Sequence, residues 1–94
     1  MEMFNPPHPG KILKEMYLPE YKLSVSAFAL KLGISRVTAS ELVNCKNGVT
    51  ASMALKLAKA FGTSAQMWLN MQQAYDLWQA RQQTNLDNVQ VIAM

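Results

Sequence analysis

The stretch Val25-Ser26-Ala27-Phe28-Ala29-Leu30-Lys31-Leu32-Gly33-Ile34-Ser35-Arg36-Val37-Thr38-Ala39-Ser40-Glu41-Leu42-Val43-Asn44 decides the fold. Val25, Phe28, Ala29 and Leu32 recur at helical spacing, and Val37, Ala39, Leu42 and Val43 form an apolar set after the turn. Between them stand Gly33, which permits a backbone reversal, and Ser35, a hydroxyl suited to start a helix. Two short helices crossing steeply need a small residue at their contact and a permissive one at the turn; Ala29 and Gly33 occupy those places. Phe28, Leu32, Ile34 and Leu42 fall where such a unit turns side chains inward. The spacing predicts a helix-turn-helix over about residues 25–44.

The same grammar extends outward. All four prolines lie within residues 6–19, so the rest of the chain is free of the strongest helix breaker. Gly33, Gly48 and Gly62 punctuate it, and Ser35, Thr50, Thr63 and Ser64 supply caps for the helices that follow. Helix 1 is expected from about Pro9 to Leu18, with Ile12, Leu13 and Met16 inward and Pro19 ending it. Helix 2 follows Ser24 and helix 3 begins at Ser35. Helix 4 follows Thr50, with Ala54, Leu57, Ala58 and Phe61 as its buried stripe. Helix 5 starts at Thr63 or Ser64 and runs to about Gln83. The expectation is one all-α, five-helix bundle over residues 1–84, with residues 85–94 as a flexible or strand-like tail in which Val89-Gln90-Val91 alternates weakly.

Ninety-four residues suit one domain rather than two. Cys45 is the single cysteine and His8 the single histidine, which excludes an internal disulfide, a zinc cluster and a catalytic triad within the chain. No enzyme activity, metal or cofactor is expected. No segment approaches the apolar length of a membrane span, and Glu2 is unlike a basic secretory start, so a cytoplasmic protein is expected. Net charge is +3, unevenly spread. Residues 1–62 hold eight basic and four acidic side chains, whereas residues 63–94 hold Arg81 against Asp76 and Asp87. The basic excess lies in the part that carries the helix-turn-helix, as a polyanionic partner requires.

In such a unit the exposed N-terminal half of the second helix enters the major groove of double-stranded DNA. Arg36 is the leading base reader, because its planar fork matches the O6 and N7 acceptors of guanine. Val37 suits a thymine methyl, and Ser40 lies one turn after Arg36 on the same face. Glu41 stays ambiguous: it accepts from cytosine N4, repels phosphate, or pairs with a lysine. Ser35 and Thr38 are short groups for bases or phosphates, while Ser24, Asn44 and Lys46 are candidates for the phosphate backbone. Lys56 and Lys59 read equally well as a solvated face. Cys45 reads as a partly buried small side chain rather than a redox switch.

Helix 5 carries Trp68, Met71, Tyr75 and Trp78 at 3-4-3 spacing. A reader of a palindromic operator is a dimer with half-sites about 34 Å apart. These four residues and the tail are the candidate dimer contacts; equally, the stripe is a bundle's own apolar face.

Four windows add a resemblance: His8-Pro9-Gly10-Lys11-Ile12-Leu13, Phe28 to Ser35, Thr50 to Ala60, and Gly62 through Trp68-Leu69-Asn70-Met71-Gln72. Over roughly residues 8–78 the chain resembles HigA-type antitoxins of the lambda-repressor-like (Xre) helix-turn-helix class. The resemblance implies an all-helical homodimer that represses its own operon and neutralises a small, ribosome-dependent endoribonuclease toxin. The family commonly has Asn-Gly-Lys after the recognition helix; here Asn44-Cys45-Lys46 stands instead, so helix 3 ends on Asn44 or on the later Asn47-Gly48. A free-standing regulator without a toxin, or a helical interaction module without DNA activity, would share the same pattern.

Overall fold

The computed structural model describes residues 5–93. Among these residues there are five helices and no strand. The first, α1 (residues 9–20), is continuous through Pro9–Ile12, a π-helical turn at Leu13–Tyr17, and Leu18–Glu20. It is followed by α2 (Val25–Leu32), α3 (Arg36–Val43), α4 (Ala51–Phe61) and α5 (Ala65–Gln83).

The expected caps form. Ser24 Oγ accepts from the Ala27 amide at 3.1 Å, Ser35 Oγ from Thr38 at 3.0 Å, Thr50 Oγ1 from Met53 at 3.1 Å and Ser64 Oγ from Met67 at 3.0 Å. Each satisfies an amide that the first helical turn leaves without a backbone partner. The α2–α3 turn closes on Gly33 at φ +70°, where the Ile34 amide donates to the Ala29 carbonyl at 3.0 Å. Gly33 is there because an L side chain adopts that backbone only at a cost.

Helix 1 does not end at Leu18. Pro19 lacks an amide hydrogen, and its ring crowds the carbonyl four residues back. The helix absorbs it by widening: the Leu18 amide donates to Leu13, five residues earlier, and the helix continues through Glu20. The extra residue in the turn shifts the inward face. Leu13 and Leu18 are buried and Tyr17 packs on the core, while Met16 is 60% exposed rather than inward.

Leu13, Phe28, Leu42, Leu57 and Trp68 are the large residues fully enclosed in the core, with Ala29, Ala39 and Ala54 buried among them. Small residues at those positions let the helices approach closely. Helix α2 pairs with α3, α4 with α5, and α1 bridges α3 and α5. The Trp68 ring lies 5.2 Å from Tyr17 and 6.4 Å from Phe61, and its Nε1 donates to Thr63 Oγ1 at 2.7 Å. A buried indole thus keeps a partner for its only polar atom.

Residues 84–93 are exposed and form neither helix nor strand, so the alternation at Val89-Gln90-Val91 does not yield a strand in this chain. Among the described residues, no helix is long and apolar enough to cross a membrane.

Candidate nucleic-acid interface

The outer surface of α3 begins at Arg36 and Val37, continues one turn later at Ser40 and Glu41, and reaches Asn44 at its end, residues that share a face by helical spacing. Arg36 is exposed and Val37 is 68% exposed. The opposite face, Ala39, Leu42 and Val43, is buried and fixes the helix against the core. The surface is therefore set by packing underneath it.

Arg36 does not dangle. Its Nε donates to Ser26 Oγ on the first turn of α2 at 2.7 Å. Ser35 and Thr38 are joined side chain to side chain, the Ser35 hydroxyl donating to Thr38 Oγ1 at 2.8 Å, so both serve the start of α3. Ser24 caps α2 in the same way.

At the other end, Asn44 Nδ2 donates to the Ser40 carbonyl at 2.8 Å and to Ser40 Oγ at 3.3 Å, and Lys14 Nζ reaches Asn44 Oδ1 at 3.3 Å. Glu41 ties down the following turn: its Oε1 accepts from Asn47 Nδ2 at 2.8 Å, and its carbonyl from the Lys46 amide at 2.8 Å. Of the readings open to Glu41 from sequence, the structure supplies a further one, an anchor for residues 44–48.

Helix α3 ends on Asn44, the first of the two expected ends. Cys45 occupies the left-handed region at φ +62°, its amide donating to Leu42 at 3.0 Å while Lys46 bonds Glu41. This paired closure ordinarily favours glycine. Cys45 is exposed, not partly buried. Lys46 is exposed on the turn so formed. Gly48 closes no helix; a Cβ there would lie 3.1 Å from the Gln72 side chain, so its role is close approach.

The dimer candidates separate. Trp68 has no exposed surface and belongs to the protomer's own core, which removes it as a contact between subunits: its ring fills the space between α1 and α4. Met71, Tyr75 and Trp78 are half-buried, and Leu77 beside Trp78 is 53% exposed. Tyr75 meets His8 edge-on at 4.8 Å.

Sequence reasoning missed several supports of this surface. His8 is buried and caps α1, its Nδ1 accepting from the Gly10 amide at 2.8 Å. Burial pushes its imidazole below the usual range, while the Asp76 carboxylate and the Asn47 backbone pull the other way. Gln72 is buried on α5; its Oε1 accepts from the Val49 amide at 2.7 Å and its Nε2 donates to Asp76 at 2.9 Å. Its signal in the sequence is a polar residue interrupting the Trp68–Trp78 stripe. Ser26 left none, because its partner lies ten residues away on another helix.

A helix-turn-helix family model matches residues 13–68. The chain is 46% identical over 82 residues to virulence-associated protein I of Dichelobacter nodosus, covering 87% of this chain and 76% of the relative. The structure of antitoxin GraA in complex with its operator is similar over 100% of this chain and 98% of GraA, with TM-score 0.89 and 35% identity. That of Pseudomonas aeruginosa antitoxin HigA with the higBA promoter is similar over 95% of this chain and 99% of HigA, with TM-score 0.83 and 33% identity.

Proposed function

The chain belongs to the helix-turn-helix family, and from that premise we propose that it is a sequence-specific DNA-binding repressor acting as the antitoxin of a toxin–antitoxin pair. The observation that carries DNA reading is the first turn of α3, where an exposed arginine is held beside an exposed apolar side chain on a helix locked from beneath. A fork of guanidinium donors next to Val37 offers partners for a guanine edge and a thymine methyl. Ser40 extends that surface. Lys46 and the N-terminal turns at Ser24 and Ser35 offer cations and helix dipoles to phosphates. Likeness to GraA and HigA structures that contain operator or promoter DNA supports DNA binding by this chain.

The antitoxin role rests on likeness to those two antitoxins over nearly the whole chain. The expected partner is a small endoribonuclease toxin, and the expected assembly a homodimer through the outer end of α5, with Met71, Tyr75, Trp78 and the tail as its contacts. A mobility-shift assay on DNA upstream of the gene tests the first part: Arg36→Ala should weaken specific binding by about 1–3 kcal/mol, and Ser40→Ala should weaken it as well. Unchanged binding by both would sink the assignment of α3. Co-purification with the product of a neighbouring short basic reading frame tests the second; with no such partner gene, the chain acts as a free-standing regulator.

A further inference from the structure

We infer that Ser26 is a positioning residue for base recognition: it clamps Arg36 so that the arginine presents only its terminal nitrogens to a single guanine. The inference rests on the reading of α3 as the recognition helix. Ser26 lies on the exposed first turn of α2, and its Oγ accepts from Arg36 Nε at 2.7 Å across the helix-turn-helix. It is not the cap of its helix, because Ser24 makes that bond. Nor does it pack in the core. Among the described residues, the contact with Arg36 is its one side-chain hydrogen bond.

The chemistry of that contact restricts what Arg36 does. A guanidinium has five N–H donors in a rigid plane. With the Nε hydrogen committed to Ser26, the plane is fixed near its root and the two terminal nitrogens remain to form the parallel pair that matches O6 and N7 of one guanine. A free arginine side chain samples many rotamers and loses that freedom on being fixed. The Ser26 bond fixes part of the chain before DNA arrives, which lowers the cost of ordering at the interface. The same bond joins α2 to α3, so the arginine's aim follows the angle between the two helices. A lysine at residue 36 has neither the Nε donor nor the fork.

The experiment is a double-mutant cycle on the full chain. A randomised duplex library enriched with the wild-type protein gives the preferred site, and binding of Ser26→Ala, Arg36→Ala and the double variant to that site is measured. Variants at the guanine position of the same duplex report discrimination. Ser26→Ala should weaken binding about three- to tenfold, the worth of one hydrogen bond, and narrow the preference for guanine. It should have no further effect once Arg36 is alanine, and Ser26→Thr, which keeps the hydroxyl, should restore discrimination. Loss of binding by Arg36→Ala with none by Ser26→Ala overturns the clamp and leaves α3 as the reader. An equal loss from Ser26→Ala with or without Arg36 means that Ser26 touches DNA by itself, which also overturns it. No loss from either single variant removes Arg36 as a reader and the clamp with it. Equal thermal midpoints for wild type and Ser26→Ala separate these outcomes from a folding defect.

Discussion

Gly10 lies against the backbone carbonyl of Leu42 with no room for a Cβ between them. This contact brings the first turn of α1 onto the last turn of α3. Helix propensity alone predicts that alanine at residue 10 stabilises the protein, by up to about 1 kcal/mol. Contact with a carbonyl that belongs to a packed helix reverses the sign, because neither backbone has freedom to retreat. Gly10→Ala should destabilise by about 1–3 kcal/mol, the range for overpacking. Urea unfolding followed by circular dichroism measures it, and an unchanged or higher midpoint would refute the account.

Cys45 closes α3 in a conformation that glycine adopts without strain. The carbonyls of Glu41 and Leu42 are satisfied by the turn, so the strain is confined to one residue. Cys45→Gly should raise stability by about 0.5–1 kcal/mol after the greater unfolded-state entropy of glycine is subtracted. Cys45→Val, with a branch at Cβ, should lower it by more. Both are read as shifts in thermal midpoint; a loss of stability in the glycine variant would mean that the φ of +62° costs nothing here.

The helix-turn-helix was legible because its signals are local: Ser24 and Ser35 cap the residues three places ahead, and Gly33 reverses the chain where it stands. The exposure of Arg36 and Val37 followed from the burial of Ala39, Leu42 and Val43 on the same helix. What was not legible depends on partners distant in sequence. Ser26 with Arg36, Lys14 with Asn44 and Gln72 with Val49 are pairs that no periodicity relates. The Pro19 error has a different origin. Proline forbids one hydrogen bond, not the helix, and a π-turn supplied another way through.

Trp68 and Trp78 share one stripe in the sequence yet differ in burial. Trp68 is enclosed, bonded to Thr63 and set against Tyr17. Its replacement by alanine should cost about 3–5 kcal/mol, as for other buried aromatics. Trp78 is half-buried near the outer end of α5, where the proposed homodimer has its contact; on that proposal Trp78→Ala should leave helicity intact and shift the sedimentation profile toward the monomer. A Trp78→Ala protein that sediments as the wild type does would remove that end of α5 from the subunit contact.

His8 makes stability depend on pH. Its Nδ1 caps α1 only while unprotonated, because it accepts from the Gly10 amide. Burial lowers the folded imidazole's pKa below the ordinary 6.5, with Asp76 and the Asn47 backbone opposing but not cancelling the effect. Below 6.5 the unfolded chain takes up a proton that the folded chain resists, so stability falls as pH falls. The loss starts near the unfolded value and ends once the folded imidazole is itself protonated. Above that window both states are neutral and His8 contributes no pH dependence. His8→Asn keeps a side-chain oxygen at the cap and removes the titration. Urea midpoints of wild type should therefore fall as the pH drops through and below 6.5, with a smaller slope in His8→Asn. Equal slopes in the two proteins would assign the acid sensitivity to the carboxylates instead.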